Sequence, residues 1–180
     1  MFGPIVRGQK VTLRPPDGDD PARFAAWLAD VEATRYLGGG LGAFSVQQEE
    51  AYFKDMAESK NDVLWVIEAE GRAIGSTRIA RIDWQNGHGH TGTFIGDKAA
   101  WRKGYGSETM ALRTEYAFRQ LNLHKLTTSA FMENEPSRRA LLKTGYCEVG
   151  IERQHFWRDG RWHDHWLAEV LRDDWERTRS

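Results

Sequence analysis

The 180-residue sequence is poor in several things. It holds a single cysteine, Cys147, and no excess of charge of either sign, with 25 basic residues against 26 acidic ones. One cysteine excludes an intrachain disulfide and disfavours a structural zinc centre, and such usage suits a reducing cytoplasm. Balanced charge excludes a general nucleic-acid footprint or a membrane-surface protein, so any basic patch is local. No apolar run approaches the roughly 18 residues that span a bilayer. Met1-Phe2-Gly3-Pro4-Ile5-Val6-Arg7 lacks the apolar core of a signal peptide, so neither export nor membrane attachment is expected. Histidines 88 and 90, and 163 and 165, form two His-x-His pairs without a sure third ligand, and no metal is expected.

What is present reads as one mixed α/β domain over residues 1–180. A strand over 11–14 stops at Pro15 and Pro16. Asp19 or Asp20, followed by Pro21, opens a helix carrying Phe24, Trp27, Leu28 and Val31 at helical spacing. Gly38-Gly39-Gly40-Leu41-Gly42 reads as a loop. Ser45 and Gln48 have capping-box form ahead of Tyr52, Phe53 and Met56. Strands over 63–69 and 73–82 form a hairpin, and a strand over 91–95 is entered from a polar loop holding His88 and His90. A helix from Gly106 carries Met110, Thr114, Ala117, Phe118 and Leu121; a strand over 125–131, a helix from Asn134 to Gly145, and strands over 146–152 and 165–171 complete the order. The eight tryptophans divide between core patterns, as at Trp27 and Trp65, and a C-terminal group of Trp157, Trp162, Trp166 and Trp175 that suits a cleft, a subunit interface or packing between terminal strands.

The most informative stretch is Phe94-Ile95-Gly96-Asp97-Lys98-Ala99-Ala100-Trp101-Arg102-Lys103-Gly104-Tyr105-Gly106-Ser107-Glu108. An apolar strand end passes through a basic glycine turn into a helix. Gly104 and Gly106 let the backbone approach a ligand closely, the free first-turn amides favour a phosphate or pyrophosphate, and Arg102 and Lys103 add charge. There is no Lys-Ser or Lys-Thr after the second glycine, as an NTPase loop requires, and no third glycine of a dinucleotide fingerprint.

This order and this turn resemble the GCN5-related N-acetyltransferase (GNAT) superfamily. Gly104 and Gly106 match its signature, although Trp101 stands where the signature has Arg or Gln. Asn134-Glu135-Pro136-Ser137, followed by a helix ending at Gly145-Tyr146, is similar to a second family pattern. Leu123-His124-Lys125-Leu126 and Arg158-Asp159-Gly160-Arg161-Trp162-His163-Asp164 resemble the RimJ/RimL-like branch, which acetylates ribosomal-protein N-termini. The resemblance implies a mixed, mostly antiparallel sheet splayed at its fourth strand and flanked by helices. It also implies acetyl-coenzyme A as co-substrate, its pyrophosphate on the amides of Lys103, Gly104, Tyr105, Gly106 and Ser107 with Arg102 beside them, and its pantetheine along the main chain of Phe94, Ile95 and Gly96. Asn134 either reaches the cofactor or caps its helix. Arg138, Arg139 and Lys143 either meet the 3′-phosphate or are ordinary exposed charges.

The implied reaction is direct attack of a neutral amine on the thioester in a ternary complex, which calls for a base, an oxyanion donor and an acid for the sulfur. An α-amine, with a reference pKa of about 7.7–8.0, needs less help than a lysine side chain at about 10.4. The tyrosine that serves many relatives as acid is replaced by Leu141, and Ser137 matches the serine of the RimJ/RimL-like branch. The base is open between His90 or His88 and the pair Asp164 and His165. Cys147, in a strand pattern, reads as a small buried residue rather than a nucleophile. The expected acceptor is a peptide or protein N-terminal α-amine. A small-molecule amine (antibiotic, polyamine or amino acid) is the enzymatic alternative, a non-catalytic acyl-coenzyme A-binding module the non-enzymatic one, and the C-terminal aromatics permit a homodimer.

Overall fold

The computed structural model describes residues 1–38 and 43–179; most of the glycine-rich loop expected over 38–42 lies outside them. Among the described residues eight strands form one sheet in the order β1-β2-β3-β4-β5-β6-β8-β7. They are β1 (Val6–Arg7), β2 (Thr12–Arg14), β3 (Val63–Ala69), β4 (Arg72–Asp83), β5 (His88–Ile95), β6 (Lys125–Phe131), β7 (Cys147–Arg158) and β8 (Arg161–Leu171). Every neighbouring pair is antiparallel except β5 and β6. The helices are α1 (Asp20–Leu28), α2 (Val46–Glu58), α3 (Tyr105–Arg119), α4 (Glu135–Lys143) and a short α5 (Arg172–Arg177), which the sequence pattern did not reveal.

The parallel pair exists because α3 carries the chain back across the sheet between β5 and β6. It is brief. Register runs from His88 opposite Lys125 to Thr91 opposite Thr128 and stops there. Beyond that point β5 stays on β4 as far as Ile95, and β6 stays on β8 as far as Phe131. The sheet forks between 92–95 and 129–131. Threonine hydroxyls finish the ladder at the fork: Thr91 Oγ1 donates to the Thr127 carbonyl at 3.1 Å, and Thr128 Oγ1 donates to that of Thr91 at 3.0 Å. A two-residue strand, β1, precedes the first predicted one, so the splayed strand is the fifth.

The sheet separates two cores. Trp65, Ile67, Ile74, Ile79, Met110, Ala117, Phe118, Leu126, Leu141 and Trp166 bury one sheet face under α3 and α4. Phe24, Phe53, Leu64, Val66 and Ala73 bury the other under α1 and α2, with Trp27, Tyr52 and Phe94 partly covered. Gly96 is required here, because a Cβ would lie 2.5 Å from the Trp27 ring. The capping box of Ser45 and Gln48 is present. So are the predicted hairpin of β3 and β4, turned at Glu70 and Gly71 with φ of 52° and 74°, and Asn134 as the N-cap of α4.

Several expectations are corrected. Helix α1 ends at Leu28, and Val31 lies in a turn, 80% exposed. His88 and His90 belong to β5 rather than to a loop, and the closing hairpin is longer at both strands than 146–152 and 165–171. Cys147 is exposed, because β7 is the sheet's edge strand. The C-terminal tryptophans separate: Trp166 and Trp175 are buried, whereas Trp157 and Trp162 pack edge to face in the open with centroids 5.3 Å apart. Among the described residues no helix is long and apolar enough to cross a membrane.

Candidate active site

After Ile95 the chain makes a short 3-10 turn at Lys98–Ala100 and enters α3 through Gly104, whose φ of 86° is left-handed. Glycine takes this conformation without strain and offers no side chain to cap the helix, so the opening amides of α3 stay free for an outside acceptor. A Cβ at Gly104 would find only the Lys10 ammonium, at 3.5 Å, and one at Gly106 only an Ile95 methylene, at 3.9 Å. The space above both glycines is therefore open, and a pyrophosphate fits the donor set.

Arg102 and Lys103 are exposed beside the turn. Lys103 leans 3.6 Å from Glu70, which also accepts the Tyr105 hydroxyl at 2.6 Å. The Tyr105 hydroxyl bond first, then the charges of Lys103 and Arg72, hold Glu70 below its ordinary pKa. Lys10 was not foreseen. Glu108 on α3 accepts from the amides of Gln9 and Lys10 and so docks the β1–β2 turn against the cradle. No local motif announces a contact between residues so far apart in the chain. Ser107 is exposed on the first turn of α3.

Along the fork, β5 is paired on one side only over 92–95, which leaves alternate backbone groups facing the gap. Two of the expected main-chain contributors already have partners. The Ile95 carbonyl accepts from the Trp101 indole at 2.9 Å, and the Gly96 amide donates to Ile74 at 2.9 Å. Trp101 thus fixes the strand end from the place where the signature has Arg or Gln.

Across the gap stands α4. Asn134 Oδ1 accepts from the Ser137 amide at 3.3 Å, so Asn134 is an N-cap, and its side-chain amide nitrogen has no partner among the described residues. Ser137 is half-buried, and among the described residues its hydroxyl has none either. Arg139 pairs with Glu135 at 3.2 Å on the exposed side of α4, and Lys143 is exposed. Arg138 turns inward to the Met132 carbonyl and lies over the Trp166 ring.

The opposite face of the fork is aromatic and imidazole-rich. Phe131, at the end of β6, stacks on Phe156 with centroids 4.6 Å apart and meets Tyr36 at 5.8 Å. His165, opposite Phe131 in register, sits 4.8 Å from Phe156 and stacks on His155 at 4.7 Å. Glu152 Oε2 accepts from His165 Nδ1 at 2.9 Å and lies 3.1 Å from His155 Nδ1. A bulge in β7 brings His155 there, and Asp164 holds the bulge by accepting from the Gln154 amide at 2.8 Å. Asp164 is thereby engaged in backbone support. The donor atoms of Glu152, His155 and His165 lie within 4.8 Å of one another, so His165 does have neighbours of ligand type, from β7 rather than from His163. His163 is turned to Glu133 at 2.8 Å.

His90 lies on the same face, its Nδ1 3.1 Å from the Thr127 hydroxyl. Burial first, then the cations Arg81, Arg78 and Arg113 and the neighbouring His165, depress it from 6.5 to about 4, so at neutral pH it is an uncharged and weakly basic imidazole. Arg158 ties this wall to the segment after α1 by donating to the carbonyls of Thr34, Arg35 and Leu37. An open cavity of about 660 Å³ lies beside it, lined by Leu28, Val31, Phe44, Trp157 and Arg158 among others.

Comparison with known proteins agrees with this arrangement. The sequence model of the Acetyltransferase (GNAT) domain matches residues 10–146. YoaA of Bacillus subtilis (strain 168), an uncharacterized N-acetyltransferase, is 28% identical over 169 residues, covering 91% of this chain and 94% of its own. The p20 protein of Bacillus licheniformis, also an uncharacterized N-acetyltransferase, is 24% identical over 93% of this chain and 96% of its own. Among solved structures, spermidine N-acetyltransferase from Vibrio cholerae, in complex with CoA and spermine, superposes with a TM-score of 0.86 at 19% identity, over 94% of this chain and 99% of its own. Mycobacterium smegmatis RimJ, in complex with CoA-disulfide, gives 0.79 at 21% identity over 91% and 83%. The structural likenesses speak for the fold, while the domain match spans well over half of the sequence, and the chain belongs to the GNAT family of acetyl-coenzyme A-dependent N-acetyltransferases.

Proposed function

We propose that the protein acetylates the α-amine of a peptide or protein N-terminus, in a ternary complex, as the RimJ/RimL-like branch does. The observation that carries this reading is the pair of unlike faces at one fork. The left-handed glycine turn with its cations suits the coenzyme, and the aromatic and imidazole wall suits a singly charged amine with apolar neighbours. Acetyl-coenzyme A supplies an electrophilic thioester. The chain supplies the rest. The amides of Lys103, Gly104, Tyr105, Gly106 and Ser107 bind pyrophosphate, with Lys10 and Arg102 neutralising charge. The backbone of β5 around Phe94 aligns the pantetheine, and the free nitrogen of Asn134 faces it from α4. Ser137 Oγ donates to the departing sulfur.

Of the imidazoles, His165 is the better base. Donating its Nδ1 proton to Glu152 leaves Nε2 as the acceptor. His90, depressed to about 4, lacks proton affinity and serves to orient water or amine through Thr127. An α-amine near pKa 8 asks little of either.

A small-molecule amine is the second reading, favoured by the open cavity beside the wall. A polyamine asks for several free carboxylates, whereas Glu152 is already shared by two rings. The test is thiol release from acetyl-coenzyme A against peptides with free N-termini, polyamines, aminoglycosides and amino acids. Release with peptides and not with their N-blocked forms is the expected result. Release with polyamines alone overturns the acceptor assignment, and silence throughout overturns the enzymatic one.

A further inference from the structure

Arg113 stands on the sheet-facing side of α3, 1% exposed, and no carboxylate is among its partners. Its Nη1 donates to the Thr93 hydroxyl at 2.7 Å, the Thr77 hydroxyl at 3.0 Å and the Gly92 carbonyl at 3.1 Å, while Nε and Nη2 are buried without partners. A guanidinium remains charged in proteins, and an unpaired buried charge is among the most costly groups a fold can contain. Hydrogen-bond satisfaction does not explain it. Thr77 Oγ1 reaches the Gly92 carbonyl and the Thr93 hydroxyl at 3.0 Å each without help from Arg113. Tyr146, just before β7, is a polar neighbour of Arg113, and its hydroxyl also bonds Thr91 on β5 at 3.2 Å.

The position is what distinguishes it. Gly92 and Thr93 are the first residues of β5 past the last register pair with β6, at the apex of the fork. We propose that Arg113 is a positioning residue for acyl transfer: it clamps the apex of the fork at Gly92 and Thr93 and places a fixed, desolvated positive charge behind the backbone that faces the thioester. This rests on the acetyl-transfer reading above. Preorganised charge of this kind favours negative charge developing on the acyl oxygen, and it is bought at the expense of folding stability.

The consequence separates the proposal from a structural role. Arg113→Met, which keeps the length and loses the charge, and Arg113→Lys, which keeps the charge, are compared with the wild type. Three quantities are read: the melting temperature, the calorimetric affinity for acetyl-coenzyme A, and the infrared carbonyl band of bound acetyl-coenzyme A labelled at the carbonyl carbon. In Arg113→Met the melting temperature is expected to hold or rise. Affinity stays within about threefold, the band moves toward its position in water, and kcat falls about tenfold or more. Arg113→Lys recovers part of the band shift. A melting temperature lowered by about 3 °C or more in Arg113→Met, the mark of a packing anchor, overturns the proposal. So does an unmoved carbonyl band. The band needs no acceptor amine, so failure to find an acceptor counts against the proposed function and not against Arg113.

Discussion

The two sides of the fork are built in different ways. The coenzyme side is almost contiguous: strand end, glycine turn and helix start lie within 94–108, and the second wall begins at Asn134. The acceptor side is gathered from Tyr36, His90, Phe131, Glu152, His155, Phe156 and His165, on five separate segments. Backbone does the binding on the first side, and the glycines are there for the conformations and space they allow. Side chains do it on the second, where the register of β6, β7 and β8 decides which of them meet. A reusable grip on one co-substrate and a variable wall for the other can thus change independently.

The contrast is broken most severely at Gly104. Gly104→Glu forces a side chain onto a left-handed residue and puts a carboxylate into the open cradle. Coenzyme A affinity by calorimetry is expected to fall about a hundredfold, with the circular dichroism of the fold retained. Affinity within threefold of wild type contradicts the cradle assignment.

On the other wall, His165→Gln should lower kcat about a hundredfold with coenzyme A affinity unchanged. Equal losses of kcat and of coenzyme affinity would show that the two sides are not separable.

His90 sharpens the comparison through pH. Its imidazole is held near 4 in the fold against about 6.5 in an unfolded chain. Below pH 6.5 the unfolded chain takes up a proton that the folded one refuses, so this stability is intact above 6.5 and lost as pH falls toward 4. Urea unfolding at pH 7 and pH 5 should show a loss of roughly 1–2 kcal/mol in the wild type that His90→Gln does not share. An identical loss in both proteins assigns the pH dependence to other groups.

The unequal legibility of the two sides in the sequence follows from the same contrast. The glycine turn, the capping box at Ser45 and the Asn134 cap were readable because each is a local rule. Lys10 at the cradle and Glu152 beside His165 were not, since they arrive by tertiary contact across long stretches of chain. Asp164 enters the sequence reading as half of a candidate base pair with His165, and the backbone amide that its carboxylate accepts belongs to a bulge that periodicity cannot show. Arg113 did leave a signal. It falls between Met110 and Ala117 on the apolar stripe of α3, where a charged residue breaks the pattern.

Ser137 tests a smaller contribution. The Ser137→Ala change leaves the Asn134 cap in place, because the cap uses the Ser137 amide and not its hydroxyl. A thiol is a fair leaving group unaided, so kcat should fall only about five- to tenfold, with no change in KM for either substrate. A simultaneous rise in KM for acetyl-coenzyme A would make the hydroxyl a binding group instead.

The smallest effect belongs to Cys147, and its smallness decides the order of the reaction. A nucleophilic cysteine would form an acyl-enzyme and separate the two half-reactions, which is the alternative to direct attack. The thiol lies exposed on the edge strand, in register with Glu169 of β8, whose carbonyl it approaches at 3.5 Å, while the fork opens between β5 and β6 beyond the pair Thr91 and Thr128. Solvent exposure leaves it open to a thiol reagent, so labelling by dithiobis(nitrobenzoate) should go to completion in the native protein without loss of turnover. Cys147→Ser should match the wild type in kcat and KM, with initial-rate patterns that intersect rather than run parallel. Parallel patterns, or inactivation in step with labelling, would move the chemistry from the two faces of the fork to the sheet edge and overturn direct transfer.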